Sequence, residues 1–73
     1  MYKIAVIGAG KIGSTIAGLL AGAYEVLVID QSEAALAALD AHPAPATAAL
    51  AIDDPAALTA ALTGCFAVLN AAP

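Results

Sequence analysis

The sequence predicts an α/β fold, the first half of a doubly wound parallel sheet with strands in the order 3-2-1-4. Short apolar runs at residues 3–7, 24–29, 46–52 and 66–69 alternate with segments of helical periodicity, as in successive βαβ units. The runs Ile4-Ala5-Val6-Ile7 and Val26-Leu27-Val28-Ile29 are apolar throughout instead of alternating. Strands covered on both faces have that pattern. The connections are short, and right-handed crossovers leave few arrangements. The expected one puts the first two helices on one face of the sheet and the third on the other.

The first strand ends at a glycine, and Gly8-Ala9-Gly10 follows as a tight turn. Ile12, Ile16, Leu19 and Leu20 recur at helical spacing and predict a first helix over 11–21. Gly22 is expected to end it with a positive φ. The second strand stops at Asp30. Ser32 is the expected N-cap of the second helix, with Glu33 near its positive end and Ala35, Leu36 and Leu39 on its buried face. That helix is expected to end before His42-Pro43, because the residue before a proline avoids the α region.

After the connector at 43–45, the run 46–52 predicts a weaker, alanine-rich third strand. Asp54-Pro55 has the form of an N-cap followed by a proline at the first helical position. The third helix runs through Leu58 and Leu62 and closes at Gly64. The fourth strand occupies 66–69, and Asn70-Ala71-Ala72-Pro73 leaves it.

The composition narrows the function. Apolar residues make up 63% of the 73-residue chain, above the ~45–50% of ordinary globular proteins. Disorder is excluded, and some apolar surface is expected to meet another chain or a further part of this one. The net charge is −4, with Lys3 and Lys11 the only strong cations. Two cations cannot neutralise a nucleic-acid backbone, and no polybasic stretch marks a membrane surface. No apolar run approaches the ~20 residues of a membrane span. Lys11 interrupts what would otherwise resemble the apolar part of a signal peptide. Cys65 is the single cysteine, which excludes an internal disulfide or a cysteine-built zinc site and fits a cytoplasmic setting. It reads as a small apolar residue entering a strand, and His42 as a loop residue. No metal site is expected.

Gly8-x-Gly10-x-x-Gly13 is a weak pattern in so glycine- and alanine-rich a chain, but its context is specific. It leaves a strand, opens a helix, lies in a βαβ unit of about thirty residues and has an acid about twenty residues further on. Gly8 allows the sharp turn, Gly10 lets the backbone approach a pyrophosphate, and Gly13 lets the helix pack closely on the strands. The leading amides of that helix, at Lys11, Ile12 and Gly13, then point at the phosphates.

Asp30, at the tip of the second strand, is positioned to accept the adenosine ribose hydroxyls and repel a 2′-phosphate. Gln31 and Ser32 stand where an NADP site often carries arginine. The expected cofactor is therefore NAD, ahead of NADP. Asp53 lies where an adenine edge would fall, and Asn70 and Ala71 border the switch-point crevice beside the first strand. The competing reading of these polar residues is turn closure and helix capping.

Taken together, Lys3-Ile-Ala-Val-Ile-Gly-Ala-Gly-Lys-Ile-Gly13, Tyr24-Glu-Val-Leu-Val-Ile-Asp30, Leu50-Ala-Ile-Asp53 with Pro55-Ala-Ala-Leu58, and Ala67-Val-Leu-Asn-Ala-Ala-Pro73 resemble the N-terminal NAD(P)-binding Rossmann domain of the saccharopine dehydrogenase family. The first two segments are common to many such domains, and the last is the more specific. The resemblance implies an NAD(P)-dependent oxidoreductase acting on C–N bonds in amino-acid metabolism. It assigns pyrophosphate to Gly8, Gly10 and Gly13, cofactor choice to Asp30, adenine to Asp53 and the cofactor cleft to Asn70 and Ala71. By the same resemblance residues 1–73 form a partial domain. The second Rossmann half, the substrate domain and the catalytic residues would lie beyond Pro73. The fragment alone is expected to be inactive and to self-associate through its apolar sheet edge or to need a missing C-terminal domain. The alternative is a regulatory nucleotide-binding module like those that gate potassium transport. Ile52 stands before Asp53 where that group carries a glycine, and this, with the Asn70–Pro73 ending, favours the dehydrogenase.

Overall fold

The computed structural model describes residues 2–39, 44–51 and 53–71. In chain order they form β1 (Lys3–Ile7), α1 (Lys11–Leu20), β2 (Glu25–Asp30), α2 (Glu33–Ala37), β3 (Ala46–Ala49), α3 (Pro55–Leu62) and β4 (Ala67–Asn70). The strands make one sheet in the order β3-β2-β1-β4, and every neighbouring pair is parallel. The fold class and strand order are those the sequence predicts.

The two-sided apolar runs explain the centre of the sheet. Side chains alternate along a strand, so each inner strand supplies both faces. Val6, Val26 and Val28 pack with Ala17 of α1 and Leu36 of α2. Ala5, Leu27 and Ile29 point the other way, against Leu58, Ala61 and Leu62 of α3. α1 and α2 thus share one face and α3 takes the other, as expected. Burial at the centre is nearly complete, with Val6, Val28 and Ile29 the largest fully enclosed side chains. Each such side chain contributes about 1.5–3 kcal/mol relative to exposure.

α1 packs on the sheet through its smallest residues, with Gly13 in the close contact expected of it. Gly13 and Ala17 are its buried residues, with Ile16 and Leu20 packed at the margin. Ile12 and Leu19 are 68% and 78% exposed. The reason is close approach. A Cβ on Gly13 would run into the Gly8 carbonyl oxygen, so the helix lies against the backbone through its smallest residues. Larger neighbours about 100° around the axis are carried outward. The expectation for Gly22 is corrected. It has no positive φ, and the helix instead ends in a turn where the amides of Ala23 and Tyr24 both donate to the Leu20 carbonyl.

Both later helices start as the sequence indicates. The Ser32 hydroxyl accepts from the Ala35 amide at 3.1 Å, and the Asp54 carboxylate accepts from the Ala57 amide at 3.1 Å, with Pro55 in the first turn. α2 stops at Ala37, well short of His42-Pro43; those two residues and the start of the connector lie outside the described residues. β3 stops at Ala49, not at residue 52, because alanine has little area to bury and low strand preference. β4 is shifted one residue, so that Asn70 is its last member and Phe66 precedes it. Phe66 stacks on Tyr2 with ring centroids 4.4 Å apart. Cys65 is half-buried against the α3 side of the sheet, consistent with a small apolar residue entering a strand.

Candidate dinucleotide site

The carboxyl ends of β2, β1 and β4 lie side by side, with the glycine turn between β1 and α1 at their centre. Ile7 is in register with Ile29 on one side and with Asn70 on the other. Gly8 has φ 104°, in the left-handed region that glycine enters without a Cβ clash. Its amide donates to the Ile29 carbonyl at 2.7 Å. On the other side the Ala71 amide donates to the Ile7 carbonyl at 2.8 Å. The Ala71 methyl lies 3.7 Å from where a Gly13 Cβ would stand. The exit of β4 therefore borders the first turn of α1.

The three glycines differ in what the protein itself requires of them. Gly8 is fixed by its φ and Gly13 by the Gly8 carbonyl. Gly10 has an ordinary φ of −69° as the N-cap of α1, and a Cβ added there would meet nothing within 4 Å. Neither backbone strain nor internal packing explains the missing side chain. α1 also has no side-chain cap, in contrast to α2 and α3. Its leading amides have no intrahelical partner and carry the positive end of the helix dipole. Space above Gly10 and leading amides without intrahelical partners suit an anion with several oxygens.

Asp30 closes the β2 side. One oxygen of its carboxylate accepts from the Ala9 amide at 2.8 Å, and the other accepts from the Ser32 amide at 2.9 Å. The Ala9 amide is the main reason its pKa lies below the ordinary value. The Ser32 amide adds to this, partial burial opposes it, and the Gln31 amide lowers it further. Asp30 is thus an ionised hydrogen-bond acceptor at the tip of β2. It does not cap α2, since Ser32 does that.

The structure brings together Gly8, Gly10, Lys11, Ile12, Gly13, Asp30, Asn70 and Ala71 around this one turn. Lys11 and Ile12 are exposed in the first turn of α1, and Gln31 is exposed just past Asp30. Asp53 stands apart. Instead of ending β3, it is exposed in the turn before α3, and β3 is separated from β1 by β2. The Ala9–Asp30 bond escapes sequence reading, because a backbone donor leaves no trace in residue type. Among the described residues no cluster of three His, Cys, Asp or Glu is placed to hold a metal. No helix among them is long and apolar enough to cross a membrane.

No curated protein matches the chain significantly. The family model for the saccharopine dehydrogenase NADP binding domain matches residues 4–73, taking in the glycine turn, the β2 tip and the β4 exit. The chain belongs to that family and is a nicotinamide-dinucleotide-binding module of oxidoreductase type.

Proposed function

We propose that the chain binds NAD in preference to NADP, as the cofactor domain of an oxidoreductase acting on amino-acid-derived C–N bonds. Gly10 is the observation that carries the reading: at the N-cap of α1 it leaves the backbone bare and the space above it open, which lets a pyrophosphate approach the leading amides closely. In this reading the amides of Lys11, Ile12 and Gly13 bind the phosphates, and the Lys11 ammonium adds charge beside them. Asp30 accepts the adenosine ribose hydroxyls, with Gln31 next to it. Asn70 and Ala71 line the nicotinamide side of the crevice, and Asp53 borders the adenine. When bound, the nicotinamide supplies the hydride acceptor or donor. The substrate class rests on family membership.

The matching family is described by NADP, and the preference for NAD rests on Asp30. A 2′-phosphate would meet an ionised carboxylate, and the neighbouring Gln31 and Ser32 carry no positive charge to offset it. Calorimetric titration with NAD and NADP tests this. NAD is expected to bind more tightly, and Asp30→Ala to bring the two affinities together. Tighter binding of NADP to the parent chain would overturn the assignment.

The outer edge of β4 supports self-association or coverage by further chain, with Phe66, Val68 and Leu69 exposed beside it. Sedimentation is expected to show mass rising with concentration. A constant monomer mass at high concentration would contradict it.

A further inference from the structure

We propose that Asp30 has a second task besides ribose capture: its carboxylate positions the phosphate-binding turn in the free protein by holding the Ala9 amide from the tip of β2. The inference deepens the proposed function and rests on it for its ligand arm. The backbone ladder between β1 and β2 is prolonged into the turn by the Gly8 amide donating to the Ile29 carbonyl at 2.7 Å. The next amide, that of Ala9, is met instead by Asp30 Oδ2 at 2.8 Å. A side chain thus supplies a rung at the point where the backbone turns away.

The acceptor is itself held in place. Its Oδ1 accepts from the Ser32 amide at 2.9 Å, two residues along the chain, which fixes the carboxylate against the start of α2. Ala9 is 7% exposed, so its amide is poorly placed to find water if the carboxylate withdraws. A buried donor left without a partner is strongly disfavoured. Gly10 and α1 follow Ala9 directly, and the hold on Ala9 sets where the leading amides of α1 aim. Among the described residues, Lys11 on α1, Glu33 on α2 and Asp53 beyond β3 are the charged residues on the neighbouring segments, and Lys3 and Glu25 stand at the opposite ends of β1 and β2. The downward pKa shift is caused by backbone amides alone, opposed only by burial.

Two measurements on the chain decide the matter. In the free protein, the Ala9 amide resonance is expected to titrate with the Asp30 carboxyl, with a midpoint below the ordinary carboxylate value of about 3.9. An Ala9 amide that stays flat while Asp30 titrates would overturn the proposal. The second uses inorganic pyrophosphate, which has no ribose, with the parent chain and Asp30→Ala, which leaves the Ala9 amide no side-chain acceptor, at neutral pH, read by amide shifts. Loss of a negative charge alone strengthens anion binding. Loss of the positioned turn weakens it, about fivefold if the competent arrangement falls to a fifth of the population. Weaker binding by Asp30→Ala supports the positioning role, and equal or tighter binding removes it. If the parent binds neither pyrophosphate nor NAD, the phosphate-site reading fails, and the Ala9 titration still decides the positioning role. The same titration decides it if Asp30→Ala does not fold.

Discussion

The inner and outer strands of this sheet have similar length and apolar content but very different surroundings. Four consecutive residues are buried in each of β1 and β2, whereas none is buried in β3 or β4. The inner strands carry branched side chains and are covered on both faces. β3 is mostly alanine, and β4 holds exposed valine and leucine next to an uncovered edge. Stability is therefore concentrated in the β1–β2 pair, and so are the anchors of the candidate site. Gly8 and Asp30 grow directly from the ends of these two strands. A candidate binding turn is best mounted on rigid, well-packed elements.

Several substitutions can break or sharpen this contrast. Ile29 is fully buried, and Ile29→Ala is expected to lower stability by about 2–5 kcal/mol. Leu69→Ala, at a site 39% exposed on β4, is expected to change it by under about 1 kcal/mol. Urea denaturation compares the two, and equal losses would show that the outer strands carry as much as the inner. Gly13→Ala comes next, because its Cβ runs into the Gly8 carbonyl. A loss of about 1–3 kcal/mol is expected from such overpacking, seen as a lower urea midpoint. Asp54→Ala removes the α3 cap and is expected to lower stability by about 1 kcal/mol, with thermal melting as the readout.

The smallest effect is one of pH. The folded pKa of Asp30 lies below its unfolded value, so its contribution is fully present above the ordinary carboxylate range. It is lost as pH falls through the lowered folded pKa. Stability curves of the parent and Asp30→Asn are expected to converge on the acid side of that window. A gap that widens toward low pH would contradict the assignment.

Much of this arrangement was legible in the sequence because it rests on side-chain chemistry. Unbroken apolar runs identified the inner strands, and Ser32 and Asp54-Pro55 marked two helix starts. Gly8, Gly10 and Gly13 located the turn. The periodicity of α1 located the helix but not its buried face, because periodicity weighs large residues, while close helix–strand contact selects small ones. Ile12 and Leu19 therefore lie outside, and Gly13 and Ala17 within. The end of β3 was misread because alanine runs carry little signal for strand or loop. The hold of Asp30 on Ala9 was invisible because its donor is a peptide group, which every residue but proline possesses.

The account depends most on the open space above Gly10. Calorimetric titration of NAD into the parent chain and Gly10→Ala, with urea midpoints measured on both, tests it directly. The expected result is binding weaker by about tenfold or more, from a methyl group intruding by 1.4 kcal/mol or more on the bound phosphate. Stability should stay within about 1 kcal/mol, because among the described residues a Cβ there meets nothing within 4 Å beyond its chain neighbours. Equal NAD affinity for the two chains would contradict the claim that a pyrophosphate lies against this residue.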